Sequence, residues 1–398
     1  MDDSTNSTQR HLTFPYAMVQ ALFWCTYAIS WSYTAVLLGA CGYDSRVTGL
    51  VTGIGAVISV ALQPLMASLA IKLQFLNTKR NVIMLKLISI AAAMIMMSNI
   101  PGVYTVAVMF TVLTAIDASI PSMLNNIAME ETNSGRKLDF GIARGTGSIA
   151  YAVFSYIIGI IVQEYGSRCL IWMYIILGIM VTAAVMVLPE SKDTGSNIIV
   201  SEKHNAGIVE VLRKYKFLPK FLLASVLLFM GHNMQNVFLP DIVAAAGGDN
   251  SNLGAAICLS AVAELPVMLL FSTISSRVRV SRLLVMSSVF FTIKCILAML
   301  SVNVLMLEAV QLLQAGAFAI YTPASIFYIN ERMDGTDSGL GQALTGACTL
   351  GFGGMLGNII GGYVLQMAGI RAMLMTASVF SILGIIFTVR CEYCIQKN

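Results

Sequence analysis

A few charged side chains of this sequence lie inside, or at the start of, long apolar segments. They are Lys86, Asp117, Arg144, Glu264 and Lys294. A charge in apolar surroundings is costly and normally faces a partner, a ligand or water. A carboxylate that gains and loses a positive partner can bind and release a proton. The sequence therefore predicts Glu264 and Asp117 as proton carriers. Static ion pairs are the alternative: Asp117 with Lys86 or Arg144, and Glu264 with Lys294.

Arg144 also belongs to a polar stripe. Arg144, Ser148 and Tyr151 follow one another at i, i+4 and i+7, which places them on one face of a helix. A guanidinium group binds oxygen atoms through two parallel hydrogen bonds, and a ring can pack on a sugar face or on an aromatic group. The stripe is a predicted binding site for a polar organic solute, and His232 and Gln314 add polar groups from other segments. Helix packing is the alternative role for His232.

The segments that carry these residues are apolar enough to cross a lipid bilayer. Of the 398 residues, 57% are hydrophobic and 11% are charged, whereas a soluble protein has about 25% charged residues. A membrane-spanning helix needs about 20 apolar residues, and a barrel would show short alternating strands, which are absent. We predict an all-α membrane protein. Its twelve predicted spans are 14–40, 46–71, 81–100, 102–126, 143–163, 168–188, 219–245, 254–274, 281–302, 304–330, 338–366 and 369–391.

Positive charges between the spans are distributed asymmetrically. With an even number of spans, both termini lie on one side, and nearly all Lys and Arg residues between spans fall on that side. Arg46, Arg168 and Arg371 fall on the other. Because cytoplasmic loops carry an excess of Lys and Arg, we expect a multi-pass protein of the plasma or inner membrane with both termini in the cytoplasm. The basic loops thus indicate topology, and no nucleic-acid partner is expected.

A polar stretch at mid-chain, residues 189–218, separates six predicted spans from six others. Positions that disturb helices recur in the two halves at one constant offset: Pro64 with Pro266, Pro121 with Pro323, and Gly159 with Gly361. We therefore predict two pseudo-symmetric six-helix bundles, residues 1–188 and 219–398, joined by a cytoplasmic linker. Paired repeats of this kind are typical of transporters with the major facilitator fold.

The sequence offers little support for other kinds of site. Cys391 and Cys394 form one CxxC pair without a second pair or a nearby His, so no metal site is predicted. There is no GxxxxGK[ST] nucleotide loop and no catalytic constellation. We therefore expect no cofactor and no enzymatic activity. Residues 1–13 lack a signal-peptide cleavage site, which leaves the first span as the predicted insertion signal.

The residues around Arg144 resemble a known family. The segments DFGIAR and GSIAY, within residues 139–151, are similar to the fifth-helix motif of the lactose permease, the oligosaccharide:proton symporters and the phenylpropionate-type permeases. Further matches are Gln63-Pro64, Ala263-Glu264, Gln311-Leu312-Leu313, and His232 with Phe238. The resemblance implies that Arg144 binds substrate and that Tyr151 stands at the ring-stacking position.

Several positions depart from that group. Asn126 stands in place of an acid that helps to hold substrate, Lys294 in place of an arginine, and Gln314 in place of a histidine. Ala317 replaces a proton-carrying glutamate of the lactose permease, and Ile71 replaces a loop acid. The resemblance thus implies substrate contacts from Asn126, Lys294 and Gln314, with Glu264 as the retained acid. Galactoside transport is not expected.

These features predict a secondary active transporter for a small organic solute: a sugar, a nucleoside or an aromatic acid. We expect alternating access, coupling to protons, and a monomer in the lipid bilayer. One alternative is a uniporter or exchanger without proton coupling. A transporter-like solute sensor is another, and an integral membrane enzyme is a third.

Overall fold

The computed structural model describes residues 12–72, 77–98, 102–134, 136–189 and 207–396. Every regular element within these ranges is a helix. The predictions for the polar N-terminal residues, for most of the mid-chain linker and for the break at 99–101 fall outside the described residues. So does the side chain of Cys394.

The first half of the chain forms helices α1 to α6. Helix α1 is bent by 56°, because Thr13–Tyr27 passes through a π-helical segment, Ala28–Ser32, into Thr34–Ala40. Segments of π-helix occur frequently at functional sites, and this one adjoins the aromatic residues of the candidate site. The other helices are α2 Ser45–Lys72, α3 Thr78–Met97, α4 Val103–Asn133, α5 Phe140–Tyr165 and α6 Cys169–Val187.

The second half forms helices α7 to α12 after a short linker helix, Ile208–Lys214. Gly369 has a non-helical backbone, with φ 80° and ψ 177°, and separates α11 from α12. Three helices are continuous: α8 Asn250–Arg277, α9 Val280–Leu300 and α12 370–396. The other three consist of successive segments. Helix α7 comprises Leu218–Val237 and Leu239–Ala245; α10 comprises Val304–Gln311, Leu312–Ala315 and Phe318–Arg332; and α11 comprises Gly335–Gly346, Ala347–Gly353 and 354–368.

The described helices fit twelve bilayer crossings. By length and composition nine helices could cross a membrane, or up to eleven when each of two bent pairs is one span. One candidate, Asp337–Cys391, has 55 residues, about 80 Å of helix against about 30 Å of hydrocarbon. It divides at Gly369 into two spans. The described chain thus contains twelve spans, and the predicted all-α membrane fold is confirmed.

Several helices extend beyond their predicted limits. The fourth span was predicted to end at 126, but α4 continues to Asn133. The fifth and eighth spans were predicted to start at 143 and 254, but α5 begins at Phe140 and α8 at Asn250. Apolar residues mark only the part of a helix inside the hydrocarbon, whereas backbone hydrogen bonding continues into the polar interface.

Two aspartates fix the starting points of the helices that carry Arg144 and Glu264. Asp139 accepts a hydrogen bond of 2.9 Å from the amide of Ile142 at the start of α5. Asp249 forms a capping box with Asn252 at the start of α8. Side-chain caps satisfy amides that have no partner in the first helical turn, so they define where each helix begins.

The two halves of the chain approach closely at one side of the membrane. We call the side with residues 12 and 396 the terminal side and the other the distal side. At the distal side α5 packs on α8, where a Cβ at Gly159 would lie 2.5 Å from the carbonyl oxygen of Asn250. Gly49 of α2 and Gly362 of α11 likewise bring two backbones into contact there. Only glycine permits such close backbone approach.

The linker helix is attached to the terminal side of the second half. Lys214 donates hydrogen bonds of 2.8 Å to Asp334 and 2.7 Å to Asp337. The hydroxyl of Tyr215 contacts both carboxylates at 2.9 Å. The predicted polar linker therefore ends in a helix, followed by a bend of 105° into α7.

Candidate functional site

Arg144 lies beside aromatic and hydroxyl groups of α1 and α5. Its Nη1 donates a hydrogen bond of 2.8 Å to Ser148, and its guanidinium carbon lies 4.3 Å from the ring centre of Trp24. The hydroxyl groups of Tyr151 and Ser32 are 2.5 Å apart, which connects α5 to the π-helical segment of α1. The structure thus brings the predicted stripe of Arg144, Ser148 and Tyr151 onto one surface facing α1.

Trp24 was not predicted as a site residue, yet a chain of hydrogen bonds fixes its position. Its Nε1 donates to Gln20 at 2.9 Å, Gln20 donates to the Tyr16 hydroxyl at 2.7 Å, and that hydroxyl donates to the carbonyl of Leu124 at 2.8 Å. The ring packs on Gly147, where a Cβ would lie 2.5 Å from Trp24. The i, i+4 spacing of Tyr16, Gln20 and Trp24 is the sequence signal that could have identified this stripe.

The second half contributes Lys294 of α9, Gln314 of α10 and Glu264 of α8. Lys294 is 1% exposed, and its ammonium donates a hydrogen bond of 2.7 Å to the amide oxygen of Gln314. The Gln314 side chain also interacts with the carboxylate of Glu264. Gln314 lies in the 3-10 segment of α10, next to Gly316, which packs against the ring of Phe290. A break in α10 therefore positions this amide.

Glu264 is within electrostatic range of one positive charge of each half. It interacts electrostatically with Lys294 and with Arg144, and Tyr151 is also within its electrostatic range. Among the described residues Glu264 forms no contact ion pair, so the static pair with Lys294 that was considered as the alternative is not present. The Lys294 ammonium instead donates its hydrogen bond to Gln314.

His232 of α7 packs within a group of aromatic rings. Its imidazole stacks on Phe318 at 5.4 Å with an interplanar angle of 16° and meets Phe229 and Phe291 edge-on. Nε2 is 2.9 Å from the amide nitrogen of Asn236, whereas the buried Nδ1 has no hydrogen-bond partner among the described residues. His232 is also within electrostatic range of Lys294. His232 therefore packs against its aromatic neighbours, as the alternative role predicted, and its Nδ1 is a polar atom that a ligand could contact.

Asp117 occupies a different environment, inside the first half. Lys86 donates a hydrogen bond of 2.8 Å to Asp117, and both side chains are at most 1% exposed. The hydroxyl of Tyr174 lies 3.1 Å from the same ammonium. Of the two partners considered for Asp117, the structure therefore selects Lys86 and not Arg144. The pair connects α3, α4 and α6.

Asn126 is exposed on α4. None of the hydrogen bonds or charge contacts of Arg144 involves it, so its contact with substrate stays a prediction. The site assembled by the described residues consists of Arg144, Ser148, Tyr151, Glu264, Lys294 and Gln314, with His232 and Trp24 beside it.

The fold is that of a multi-pass membrane protein with charged side chains inside its spans. A protein-family profile described as the MFS_1 like family matches residues 15–375. The chain therefore belongs to this family and is a secondary transporter of the major facilitator superfamily. A comparison with curated proteins gives no match.

Solved structures share the fold. A crystal structure of a point mutant of nucleoside transporter NupG matches with a TM-score of 0.82 and 16% sequence identity, over 96% of this chain and 99% of that chain. A second NupG structure matches with a TM-score of 0.76 at the same identity and coverage. A point mutant of peptide transporter POT in complex with alafosfalin has a TM-score of 0.70 and 10% identity, over 95% and 94% of the two chains. At these identities the likeness establishes the fold alone.

Proposed function

We propose that this protein moves a small organic solute by alternating access and couples the movement to protons. The observation that carries the proposal is that Glu264 interacts electrostatically with Arg144 of the first half and with Lys294 of the second. When the two halves move, the carboxylate changes its distance to each cation. A carboxylate whose positive partner changes can bind a proton in one state and release it in the other.

The distribution of close contacts supports alternating access. On the distal side, glycines bring α5 to α8 and α2 to α11 with backbones touching. Towards the terminal side, a Cβ at Gly145 of α5 or at Gly346 of α11 would meet nothing within 4 Å. Contacts that are tight at one side and loose at the other are expected of a transporter closed distally and open towards the terminal side.

The solute class within this proposal is a sugar, a nucleoside or an aromatic acid. The likeness to NupG favours a nucleoside, and the resemblance around Arg144 to the lactose permease and phenylpropionate-type permeases favours the other two. In each case Arg144, Ser148, Tyr151, Lys294 and Gln314 supply the polar contacts, and His232 adds one. Asn126 remains a proposed contact for which the structure offers no support.

Glu264 is the proposed coupling residue, with Asp117 as the second candidate. Asp117 already has a positively charged contact partner in Lys86, whereas Glu264 contacts only the uncharged Gln314 and forms no contact ion pair among the described residues. A carboxylate without a contact ion pair is freer to change its protonation, which favours Glu264.

Proteoliposomes with an imposed pH gradient test this assignment, using labelled uridine, lactose and benzoate as the three solute classes. Glu264→Gln is expected to abolish gradient-driven accumulation while sparing exchange of solute. Glu308→Gln is the matched control, because Glu308 lies at the distal end of α10 and accepts a hydrogen bond of 3.1 Å from Asn252. If Glu264→Gln still concentrates solute with the gradient, Glu264 is not the coupling residue. Asp117 or uncoupled uniport or exchange then becomes the better explanation.

We further propose that residues 1–188 and 219–398 form two six-helix bundles. The protein would lie in the plasma or inner membrane, with both termini and the 189–218 linker in the cytoplasm. The asymmetry of Lys and Arg supports this orientation. Cys41, exposed between α1 and α2 on the distal side, should react with an impermeant maleimide added to intact cells. Cys41→Ser is the control, because it should lose that label. Labelling only after permeabilisation would indicate the opposite orientation. We expect a monomer, and a solute sensor is the alternative if binding occurs without flux.

A further inference from the structure

The two cations of the candidate site have unused hydrogen-bond donors. A guanidinium carries several N–H donors and an ammonium more than one. Arg144 donates one hydrogen bond, to Ser148, and Lys294 donates one, to Gln314. The buried Nδ1 of His232 has no partner among the described residues. Glu264 interacts electrostatically with both cations but forms no contact ion pair among the described residues.

Charge is not balanced within this group of residues. Arg144 and Lys294 supply two positive charges, and Glu264 supplies one negative charge. The buried ion pair of the first half, Lys86 with Asp117, is in contact at 2.8 Å and is neutral by itself. An uncompensated charge inside a membrane protein is strongly unfavourable. The site therefore lacks one negative charge.

We propose that the solute supplies this charge and is a small organic carboxylate, held between Arg144 and Lys294. The inference rests on the transport function proposed above and specifies its solute class. The guanidinium of Arg144 offers the paired donors that fit a carboxylate, and Lys294 adds a donor from the other half. With Glu264 ionised, the carboxylate of the solute completes the neutralisation of Arg144 and Lys294. A neutral sugar or nucleoside would leave the positive charge uncompensated.

The rest of the solute meets aromatic rings. Tyr27 and Trp31 of α1 stack at 5.7 Å with an interplanar angle of 13°, and Tyr151 meets Trp24 edge-on. On the other half, Phe318 stacks on His232. Such rings pack well on a flat ligand. A planar ring that bears one carboxylate therefore suits both features.

Trp24 provides a reporter of binding in the full-length, detergent-solubilised protein. The chain has 3 Trp residues, and the variant Trp172→Phe removes the exposed one on α6 while keeping Trp24, which lies against Arg144, and Trp31. The probes are matched pairs that differ in charge: benzoate with benzamide, nicotinate with nicotinamide, and gluconate with glucose, together with uridine. The acid of at least one pair is expected to change the remaining Trp emission and raise the melting temperature, and to bind about tenfold or more tightly than its amide or neutral partner.

Variants of Arg144 and Lys294 test whether these two cations bind the carboxylate. Arg144→Gln and Lys294→Gln are each expected to weaken binding of the acid about tenfold or more and to leave any weak binding of the amide unchanged. Arg371→Gln is the control, because Arg371 is exposed on α12. Should Arg144→Gln fail to fold, Arg144→Lys retains the charge and is expected to weaken binding less than Lys294→Gln weakens it.

The proposal is overturned if acid and neutral partner give equal signals in every pair, including no signal, or if the Gln variants reduce both equally. Failure of the proposed function is distinguishable. Proton-driven accumulation of uridine or lactose, with no preference for any acid, would refute the carboxylate solute and leave proton-coupled transport intact. Binding of an acid without any flux would refute transport and keep the carboxylate site.

Discussion

The same helix of each half carries a buried lysine, and the two lysines have different partners. Lys86 of α3 contacts a carboxylate, Asp117 of α4, at 2.8 Å. Lys294 of α9 contacts an amide, Gln314 of α10, at 2.7 Å. Both ammonium groups are at most 1% exposed. In the first half the fourth helix neutralises the charge of the third, and in the second half it does not.

This difference favours a structural role for Lys86 and the proposed ligand-binding role for Lys294. Lys86 and Asp117 neutralise each other, and Tyr174 is a further contact of the ammonium, although the buried Oδ2 of Asp117 has no hydrogen-bond partner among the described residues. Lys294 contacts an uncharged amide and interacts electrostatically with Glu264, as Arg144 does. We therefore expect the pair in the first half to hold its helices together and Lys294 in the second half to respond to substrate and protons.

The largest expected effect comes from removing one partner of the neutral pair. Lys86→Met leaves the Asp117 carboxylate buried without compensation and should lower the free energy of unfolding by about 3–5 kcal/mol. The double variant Lys86→Met/Asp117→Leu removes both charges and should recover most of that loss. Lys294→Met leaves the Gln314 amide oxygen without its donor, while Glu264 keeps its interaction with Arg144, and should cost about 1–3 kcal/mol. Denaturant unfolding in mixed micelles measures all three variants.

The contrast between the two lysines is contradicted if Lys86→Met is no more destabilising than Lys294→Met. Transport by the double variant Lys86→Met/Asp117→Leu tests the role of Asp117 separately. Retained proton-driven accumulation in that variant would exclude Asp117 as a coupling residue, since no titratable group remains at position 117.

A smaller effect is expected from the glycine under Trp24. In Gly147→Ala the added Cβ would lie 2.5 Å from the Trp24 ring, so the ring must move away from Arg144. Overpacking of this kind typically costs about 1–3 kcal/mol, and solute binding should weaken with it. Gly145→Ala is the matched control on the same helix, because a Cβ there meets nothing within 4 Å. Equal melting temperatures and Trp emission for the two variants would show that Trp24 is not held as described.

The smallest effect is expected at the exposed ion pair of the terminal side. The hydrogen bond from Lys214, with one from Tyr215, lowers the pKa of Asp334 below its ordinary value of 3.8. A lowered folded-state pKa stabilises the protein above the unfolded pKa, and this contribution is lost as the pH falls through the lowered value. Asp334→Asn should therefore lower the melting temperature slightly at pH 7, less in high salt, and not at all in strong acid. A difference that persists in acid would assign the contact a role other than charge pairing.

Relations within one helix could be predicted from the sequence. The spacing of Arg144 and Ser148 predicts neighbours on one face, and their hydrogen bond of 2.8 Å follows from helix geometry. The apolar segments predicted twelve helices, but their ends were misplaced where polar residues continue the helix, as at Asn133. Apolarity reports the hydrocarbon and not the end of backbone hydrogen bonding.

Relations between helices were decided by the tertiary structure. Asp117 had two candidate partners in the sequence, and packing of α3, α4 and α6 selected Lys86. Trp24 reached Arg144 only because Gly147 lets α1 approach α5, and Gln314 took the hydrogen bond expected of Glu264 because α10 breaks beside it. Helix periodicity fixes which residues share a face. The rotation and tilt that decide which faces meet are set by packing against neighbouring helices.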